Sequence, residues 1–346
     1  DPRAEAQADV RRSALRALGR LAAHPAAGVA ADFVRSSDPA HEPDAETRRL
    51  ALETLAALAP GQRPVAALWA FVAAADAARE PGRFARASAL RALANLPVPD
   101  AVDAMFAAID PSREPEDVAR SAAGDSLGKR VAVRFDDRAA QALLRSTDPA
   151  HEASPTVRHA AVHALERVSA SGWRAPELVS VLAARLDPAR EPVAIVRSAA
   201  AEVLLRAPQP LAAPALVDGL LARIDATAEP DAAVRSATAL ALAGIAEPGV
   251  QAALVDGFVA QSTRGSGDWP LETLRQAEPV GPGHLVARLD HAMRLAEPMR
   301  PRRRALAHVL TGGDALSDAG ALLRWLGQPA ELPLDSVAGR PDRAHD

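Results

Sequence analysis

The fold is decided by a segment that recurs along the chain and that reads DPAHEASPTVRHAAVHAL at residues 148–165. Near copies read DPAHEPDAETRRLALETL at residues 38–55 and DPAREPVAIVRSAAAEVL at residues 187–204. In each copy a glutamate follows the first aspartate by four residues and an arginine follows it by ten. This register occurs seven times, with successive aspartates 34 to 39 residues apart. A fixed register at this period predicts a repeat protein.

The three recurring polar positions keep the same spacing in every copy. The aspartates are Asp1, Asp38, Asp76, Asp110, Asp148, Asp187 and Asp225. The glutamates are Glu5, Glu42, Glu80, Glu114, Glu152, Glu191 and Glu229. The arginines are Arg11, Arg48, Arg86, Arg120, Arg158, Arg197 and Arg235.

Each copy predicts two helices. After the arginine, a small residue three positions on and a leucine seven positions on, such as Ala161 and Leu165, place one apolar stripe on a helix of period 3.6. The stretch before each aspartate predicts another helix, with examples at 101–109, 176–186 and 214–224. A single pair cannot bury its apolar face alone, so neighbouring pairs must stack.

These residues resemble the HEAT-repeat family, especially its short bacterial form called PBS-lyase HEAT-like. The resemblance rests on the turn aspartate, on apolar-arginine pairs such as Val157-Arg158, and on the small residue and leucine that follow. It covers roughly residues 1 to 262. It implies an all-α, right-handed α-solenoid (superhelix) of about seven to eight antiparallel helix pairs with a helical C-terminal cap.

The resemblance also implies a structural ladder of Asp–Arg ion pairs between adjacent repeats. The positions that carry this expectation are Asp38, Asp76, Asp110, Asp148, Asp187, Asp225, Arg48, Arg86, Arg120, Arg158, Arg197 and Arg235. The usual repeat separates its aspartate and arginine by about six residues, whereas the separation here is ten. The added segment carries the glutamate. Either this glutamate pairs with an arginine of its own or the next repeat, or the stacked turns form an acidic edge that binds a partner or cations.

Three segments are expected along the chain: a repeat solenoid over 1–262, a degenerate repeat and helical cap over 263–327, and a loose tail over 328–346. An eighth first helix is expected near Leu254, but Thr263 stands at the next aspartate position. Decay of the consensus is typical of a capping repeat, whose outer face must contact water.

Composition excludes several classes of protein. The chain has no cysteine, so it has no disulfide framework, thiolate metal site or cysteine nucleophile. The net charge of −4 and the 3% aromatic content disfavour a nucleic-acid partner. No apolar run reaches about 18 residues, so no transmembrane segment is expected. Lys129 is the only lysine beside many arginines, alanines and prolines, a composition typical of a GC-rich bacterial genome. The cytoplasm is favoured over export of a processed chain.

Short catalytic signatures occur, but their positions argue against them. Gly124-Asp125-Ser126-Leu127 spells the nucleophile motif of a lipase-esterase family, and Ser126 with Lys129 fits Ser-x-x-Lys. Both lie inside a predicted repeat helix, whereas a nucleophilic serine of the first type needs a strand-to-helix turn. We therefore expect no catalytic residue, cofactor-binding residue or cofactor.

Histidines give two further candidates. His41-Glu42 and His151-Glu152 resemble the pairs of deoxyhypusine hydroxylase, an iron enzyme built from HEAT-like repeats, but arginine replaces the histidine in three other repeats. His159 and His163 have a spacing that can chelate a metal ion on a helix. Their columns hold mostly charged residues in other repeats, namely Arg12 and Arg16, Arg49 and Glu53, and Ala87 and Arg91, which favours a solvated face and no metal site.

Partner contacts are the remaining candidates. A dense basic cluster comprises Arg300, Arg302, Arg303 and Arg304 near a helix start, where the dipole disfavours cations. Trp269 lies in a glycine-rich loop and could anchor an interface, whereas Trp69 is expected to fill the core.

The sequence thus favours a non-enzymatic scaffold that binds a protein or peptide on its concave face or loop edge. The alternatives are a HEAT-like enzyme, either a chromophore lyase or a base-excision glycosylase, and divalent-cation binding along the acidic loop edge.

Overall fold

The computed structural model describes residues 2–21, 27–96, 100–170, 176–206, 214–225, 227–243 and a few positions between 245 and 254. Regular structure in these ranges is entirely helical. The all-α prediction is therefore confirmed for the described residues. The predicted segments 263–327 and 328–346 lie outside them.

The helices alternate between two kinds, which we call first helices and second helices. The first helices precede an aspartate turn and are α2 (Ala27–Ser36), α4 (Val65–Ala74), α6 (Ala101–Ile109), α8 (Asp137–Ser146), α10 (Pro176–Arg185) and α12 (Pro214–Ala222). The second helices follow one and are α1 (Ala8–Leu21), α3 (Ala45–Ala57), α5 (Arg83–Leu93), α7 (Asp117–Val133), α9 (Pro155–Ala170), α11 (Ala194–Arg206) and α13 (Ala232–Ala243). One short 3₁₀ turn, Pro60–Gln62, joins α3 to α4. The three predicted example helices end within two residues of the observed ends.

The chain divides into two compact units, unit 1 (Asp1–Trp173) and unit 2 (Arg174–Asp346). In unit 1 each first helix packs on the second helix of its own repeat, and α1, α3, α5, α7 and α9 pack in chain order. In unit 2, α10 packs on α11, α12 packs on α13, and α11 packs on α13. Packing between sequential helical pairs fits an α-solenoid.

The core consists of the two columns that the repeat register predicts. The leucines seven residues after each arginine are fully buried from the second repeat onward: Leu55, Leu93, Leu127, Leu165, Leu204 and Leu242. The small residues three positions after each arginine are buried as well: Ala51, Ala89, Ala123, Ala161, Ala200 and Thr238. Small side chains let neighbouring second helices approach closely. At the contact of α7 with α9, a Cβ added to Gly128 would lie 2.6 Å from the Cβ of Ala164.

Among the described helices, none has both the length and the apolar character needed to cross a membrane.

Candidate functional site

From the second repeat onward, the aspartate builds the turn between the two helices. Its carbonyl oxygen accepts a hydrogen bond from the amide of the glutamate four residues on, as in Asp38 and Glu42 at 2.9 Å. Its Oδ1 accepts from the amide two residues on, as in Asp38 and Ala40 at 2.9 Å. The same carboxylate bond recurs at Asp76, Asp110, Asp148, Asp187 and Asp225. These aspartates are therefore local turn formers.

In five of the turns the glutamate points inward and binds the arginine of the preceding repeat. Arg48 donates from Nε and Nη2 to the two carboxylate oxygens of Glu80 at 2.7 and 2.6 Å. Both side chains are buried, with 2% of Arg48 and none of Glu80 exposed. The same two-bond arrangement joins Arg11 to Glu42, Arg86 to Glu114, Arg120 to Glu152 and Arg197 to Glu229.

The remaining hydrogen-bonding groups of this pair are also used. Nη1 of Arg48 donates to the carbonyl oxygens of Glu42 and Pro43, in the turn of its own repeat, at 2.8 and 2.9 Å. Oε1 of Glu80 also accepts from the amide of Gly82 at 2.6 Å. One guanidinium thus joins its own turn to the next turn, with both partners desolvated and hydrogen-bonded.

The expected Asp–Arg pairing is therefore corrected for Arg48, Arg86, Arg120 and Arg197, whose carboxylate partner is a glutamate. The physical reason is the longer turn. It brings the glutamate to the repeat interface and leaves the aspartate to accept bonds from the turn backbone. Of the two interpretations left open for the glutamate, the structure shows pairing with an arginine, but that arginine belongs to the preceding repeat and not to the glutamate's own or the next repeat.

This pairing removes the paired glutamates from the acidic edge that the sequence left open. The paired glutamates are buried and offer no open ligand to a cation, whereas Asp38 and Asp76 stay about half exposed. Hydrogen bonds from the hydroxyl and amide of Ser112 hold the pKa of Asp110 below its ordinary value. Among the described residues, no group of three or more His, Asp or Glu side chains could hold a metal ion.

A polar surface runs along the second helices of unit 1. It is formed by the residues five positions after each ladder arginine, Arg16, Glu53, Arg91, Asp125 and His163, and we call it the second-helix face. All five side chains are exposed or half-buried, and the first four alternate in charge sign along the repeats.

Ion pairs and hydrogen bonds link neighbouring helices across the second-helix face. Glu53 accepts from the hydroxyl of Ser88 on the next second helix at 2.9 Å. Asp125 accepts from Arg167 on α9 at 2.6 Å and forms an ion pair with Lys129 at 2.7 Å. Burial would raise the pKa of Asp125, but these two cations outweigh it and hold the pKa below its ordinary value.

Two of the clefts on unit 1 are lined in part by the joints between repeats. Cleft A, with a volume of about 410 Å³, lies between α3 and α5 and is lined by Glu53, Arg63, Ser88, Arg91 and Asn95. Cleft B, of about 780 Å³, is lined by Leu96, Val102, Arg130, Val133 and Phe135. Cleft A adjoins the second-helix face. Sequence reasoning missed both clefts, because each depends on residues of the joints between repeats, such as Arg63 and Phe135, which follow no column.

The prediction that Trp69 fills the core is wrong. Trp69 is 54% exposed, whereas Phe71, two residues on, is fully buried. Residues two apart on a helix point to nearly opposite sides, so burying Phe71 with Ala67 directs Trp69 and Val65 outward. Because α4 is apolar all round, its sequence does not indicate which stripe is buried.

The catalytic signatures lie where the sequence analysis predicts. All three signature residues, Gly124, Ser126 and Lys129, belong to α7. The described residues contain no strand-to-helix turn. Ser126 is fully buried. The predicted partner-binding residues Arg300, Arg302, Arg303, Arg304 and Trp269 lie outside the described residues.

The side chains of His159 and His163 contact each other on α9. Their Nε2 atoms are 3.2 Å apart, and the rings meet edge to face with centroids separated by 4.5 Å. Burial, together with the neighbouring His163, lowers the pKa of His159 below its ordinary value. Nδ1 of His163 lies 3.6 Å from Oε2 of Glu166.

Comparison with known proteins identifies no family for this chain. No protein-family model matches the chain, and no curated protein matches it. Among solved structures, the crystal structure of an engineered protein from a structural genomics consortium is 18% identical, and the match covers 93% of this chain and 89% of that one. Its TM-score is 0.42, a value too low to support an argument about fold or function.

Proposed function

We propose that the protein is a non-enzymatic scaffold of the HEAT-repeat type, a right-handed superhelix of about seven to eight helix pairs closed by a helical cap. In this proposal it binds a protein or peptide on its concave face, formed by the second helices, or on its loop edge. Extended surfaces of this kind are what solenoids supply for recognition.

The observation that carries the proposal is the Arg–Glu ladder. Each buried pair joins one turn to the next, and it therefore fixes the register between neighbouring second helices. The exposed column beside it then presents Arg16, Glu53, Arg91 and Asp125 as one ordered series of alternating charge. A partner recognised by this face would carry charges at matching intervals, and those charges would set its orientation and association rate.

Cleft A supports the same location. It lies beside Glu53 and Arg91, and it offers the guanidinium of Arg91 and the amide of Asn95 to a side chain or backbone of a bound peptide. Arg63, on its wall, already donates to the carbonyl oxygens of Ala56 and Leu58, each at 2.7 Å, and so closes the end of α3.

The test is affinity capture from a lysate of the source cells, with protein, nucleic acid and pigment assayed in the eluate. The variant Arg16→Glu/Arg91→Glu reverses two charges on the second-helix face. The matched control, Arg79→Glu/Arg113→Glu, reverses two exposed arginines in the turns. A stoichiometric protein lost only with the first variant supports the concave face, and one lost only with the second supports the loop edge.

The alternatives give different outcomes in the same experiment. An eluate that holds pigment or nucleic acid and no stoichiometric protein would overturn the scaffold proposal in favour of a chromophore lyase or a glycosylase. Divalent-cation binding along the acidic edge predicts a rise in Tm with calcium. The burial and pairing of the turn glutamates do not favour that alternative.

A further inference from the structure

We propose that His159 and His163 form a two-histidine site for a first-row transition-metal ion such as Cu²⁺, Ni²⁺ or Zn²⁺. The two residues are one helical turn apart on α9, and their Nε2 atoms converge to 3.2 Å. The nitrogens are closer to each other than the ring centroids, which are 4.5 Å apart, so the two nitrogens lie on the facing edges of the rings.

The separation fits one shared ion. Imidazole nitrogen binds zinc at about 2.05 Å, and two nitrogens 3.2 Å apart then subtend an angle of about 100° at the metal. This angle lies between the values of square-planar and tetrahedral coordination, the geometries that Cu²⁺ or Ni²⁺ and Zn²⁺ adopt. Without an ion, the same distance permits one hydrogen bond between two neutral rings.

An acidic side chain lies beside the pair. Glu166 lies 3.6 Å from Nδ1 of His163, on the far side of that ring from Nε2. A carboxylate that accepts a hydrogen bond from this nitrogen holds a metal-binding histidine in the correct tautomer and orientation, and Glu166 lies just beyond that distance. Arg167, four residues after His163 on the same helix, binds Asp125, which also binds Lys129. The charge of both cations is therefore partly offset before a metal ion arrives.

The site is open and has two protein ligands. Among the described residues no third His, Asp or Glu side chain completes it, so water fills the other coordination positions. An open bis-imidazole site binds metals in the order Cu²⁺ above Ni²⁺ and Zn²⁺, and it discriminates against the oxygen-seeking Mg²⁺ and Ca²⁺. Because His163 belongs to the second-helix face, a bound ion would also accept a ligand from a partner.

The test is calorimetric titration of the untagged full chain with CuCl₂, NiCl₂, ZnCl₂ and CaCl₂. The variant His159→Ala/His163→Arg installs the residues that α5 carries in the same columns, Ala87 and Arg91, so it is compatible with the fold. The matched control is His41→Arg/His151→Arg, which installs the residue that other repeats carry at that turn position. Circular dichroism checks that both variants keep their helical content.

The expected result is one ion more per chain for the native protein and the turn control than for the α9 variant, with no calcium binding that depends on the pair. Copper-loaded protein should show nitrogen hyperfine coupling in its electron paramagnetic resonance spectrum, and the α9 variant should lose it. Glu166→Gln should weaken the same binding by up to about tenfold. Equal uptake by the native protein and the α9 variant, or loss only in the turn control, overturns the proposal.

Discussion

At the scale of single residues, the most consequential contact is the buried pair of Arg48 and Glu80. Removing one member of such a pair leaves a desolvated charge without its partner, which costs more than the intact pair contributes. Its hydrogen bonds with the backbone of two turns add to that cost. The pair therefore specifies which turn meets which as much as it stabilises the fold.

We predict that Arg48→Ala lowers the free energy of unfolding by about 3–5 kcal/mol, since Glu80 would stay buried and unpaired. Urea denaturation followed by circular dichroism measures this change. Arg79→Ala, at a side chain that is 71% exposed, is the control and should change the value by no more than about 0.5 kcal/mol. A double variant, Arg48→Met/Glu80→Leu, should be less destabilised than Arg48→Ala. If Arg48→Ala behaves like the control, the ladder is not a stabilising feature.

Asp44 connects a single residue to the pH dependence of stability. It caps α3 by accepting from the amide of Thr47 at 2.8 Å, and it pairs with Arg12 of the preceding repeat at 2.6 Å. Burial would raise its pKa, but the bonds from Thr47 and Arg12 outweigh burial and hold the pKa below its ordinary value of 3.8. The charged carboxylate is therefore favoured in the folded state.

We predict that this contribution is fully present above the ordinary pKa of aspartate and is lost as pH falls through the lower pKa of the folded state. Asp44→Asn keeps a helix cap but has no charge to titrate. The difference in unfolding free energy between native protein and Asp44→Asn, measured by urea denaturation, should shrink from pH 6 toward about pH 2. A difference that does not depend on pH would contradict the assignment.

At the scale of helices, the repeat register predicts most of what the described residues show. The second helices begin a few residues before each arginine, and the alanine and leucine columns are buried, because spacings of three, four and seven define one face of a helix. The expected aspartate partner of the arginine was wrong, since the turn length alone does not determine which carboxylate reaches the next repeat. The prediction that Trp69 fills the core was wrong, because an apolar helix offers no contrast between its faces. The register does not predict clefts A and B, because the joints that partly line them differ from one repeat to the next.

The contact of α7 with α9 gives a prediction at this scale. Gly128 lies where a Cβ would meet the Cβ and Cα of Ala164 at 2.6 and 2.8 Å. Replacing glycine by alanine inside a helix normally stabilises it by about 1 kcal/mol. We predict the opposite sign for Gly128→Ala, a loss of about 1–3 kcal/mol, because backbone atoms of α9 must move. Thermal unfolding measures the change. Gly61→Ala, at an open position, is the control. A rise in Tm for Gly128→Ala would show that the helices can separate at little cost.

At the scale of the whole molecule, the two units were not anticipated as such, because the register continues across Trp173 without a change of pattern. Within unit 1, the packing of α1, α3, α5, α7 and α9 in chain order makes each repeat depend chiefly on its neighbours. Stability in such an array is a sum of local terms, and a defect in one repeat should remain local.

Arg86, which pairs with Glu114 at 2.6 Å in the middle of unit 1, tests this property. We predict that Arg86→Ala accelerates amide hydrogen exchange most in α5 and α7 and least in α1 and α9, because local opening follows the contacts that were lost. Mass spectrometry of peptides from each helix measures this gradient, with Arg79→Ala as the control. Uniform acceleration across unit 1 would show that these repeats unfold as one cooperative body. The ladder would then couple distant repeats, and binding at one end of the second-helix face would affect the other end.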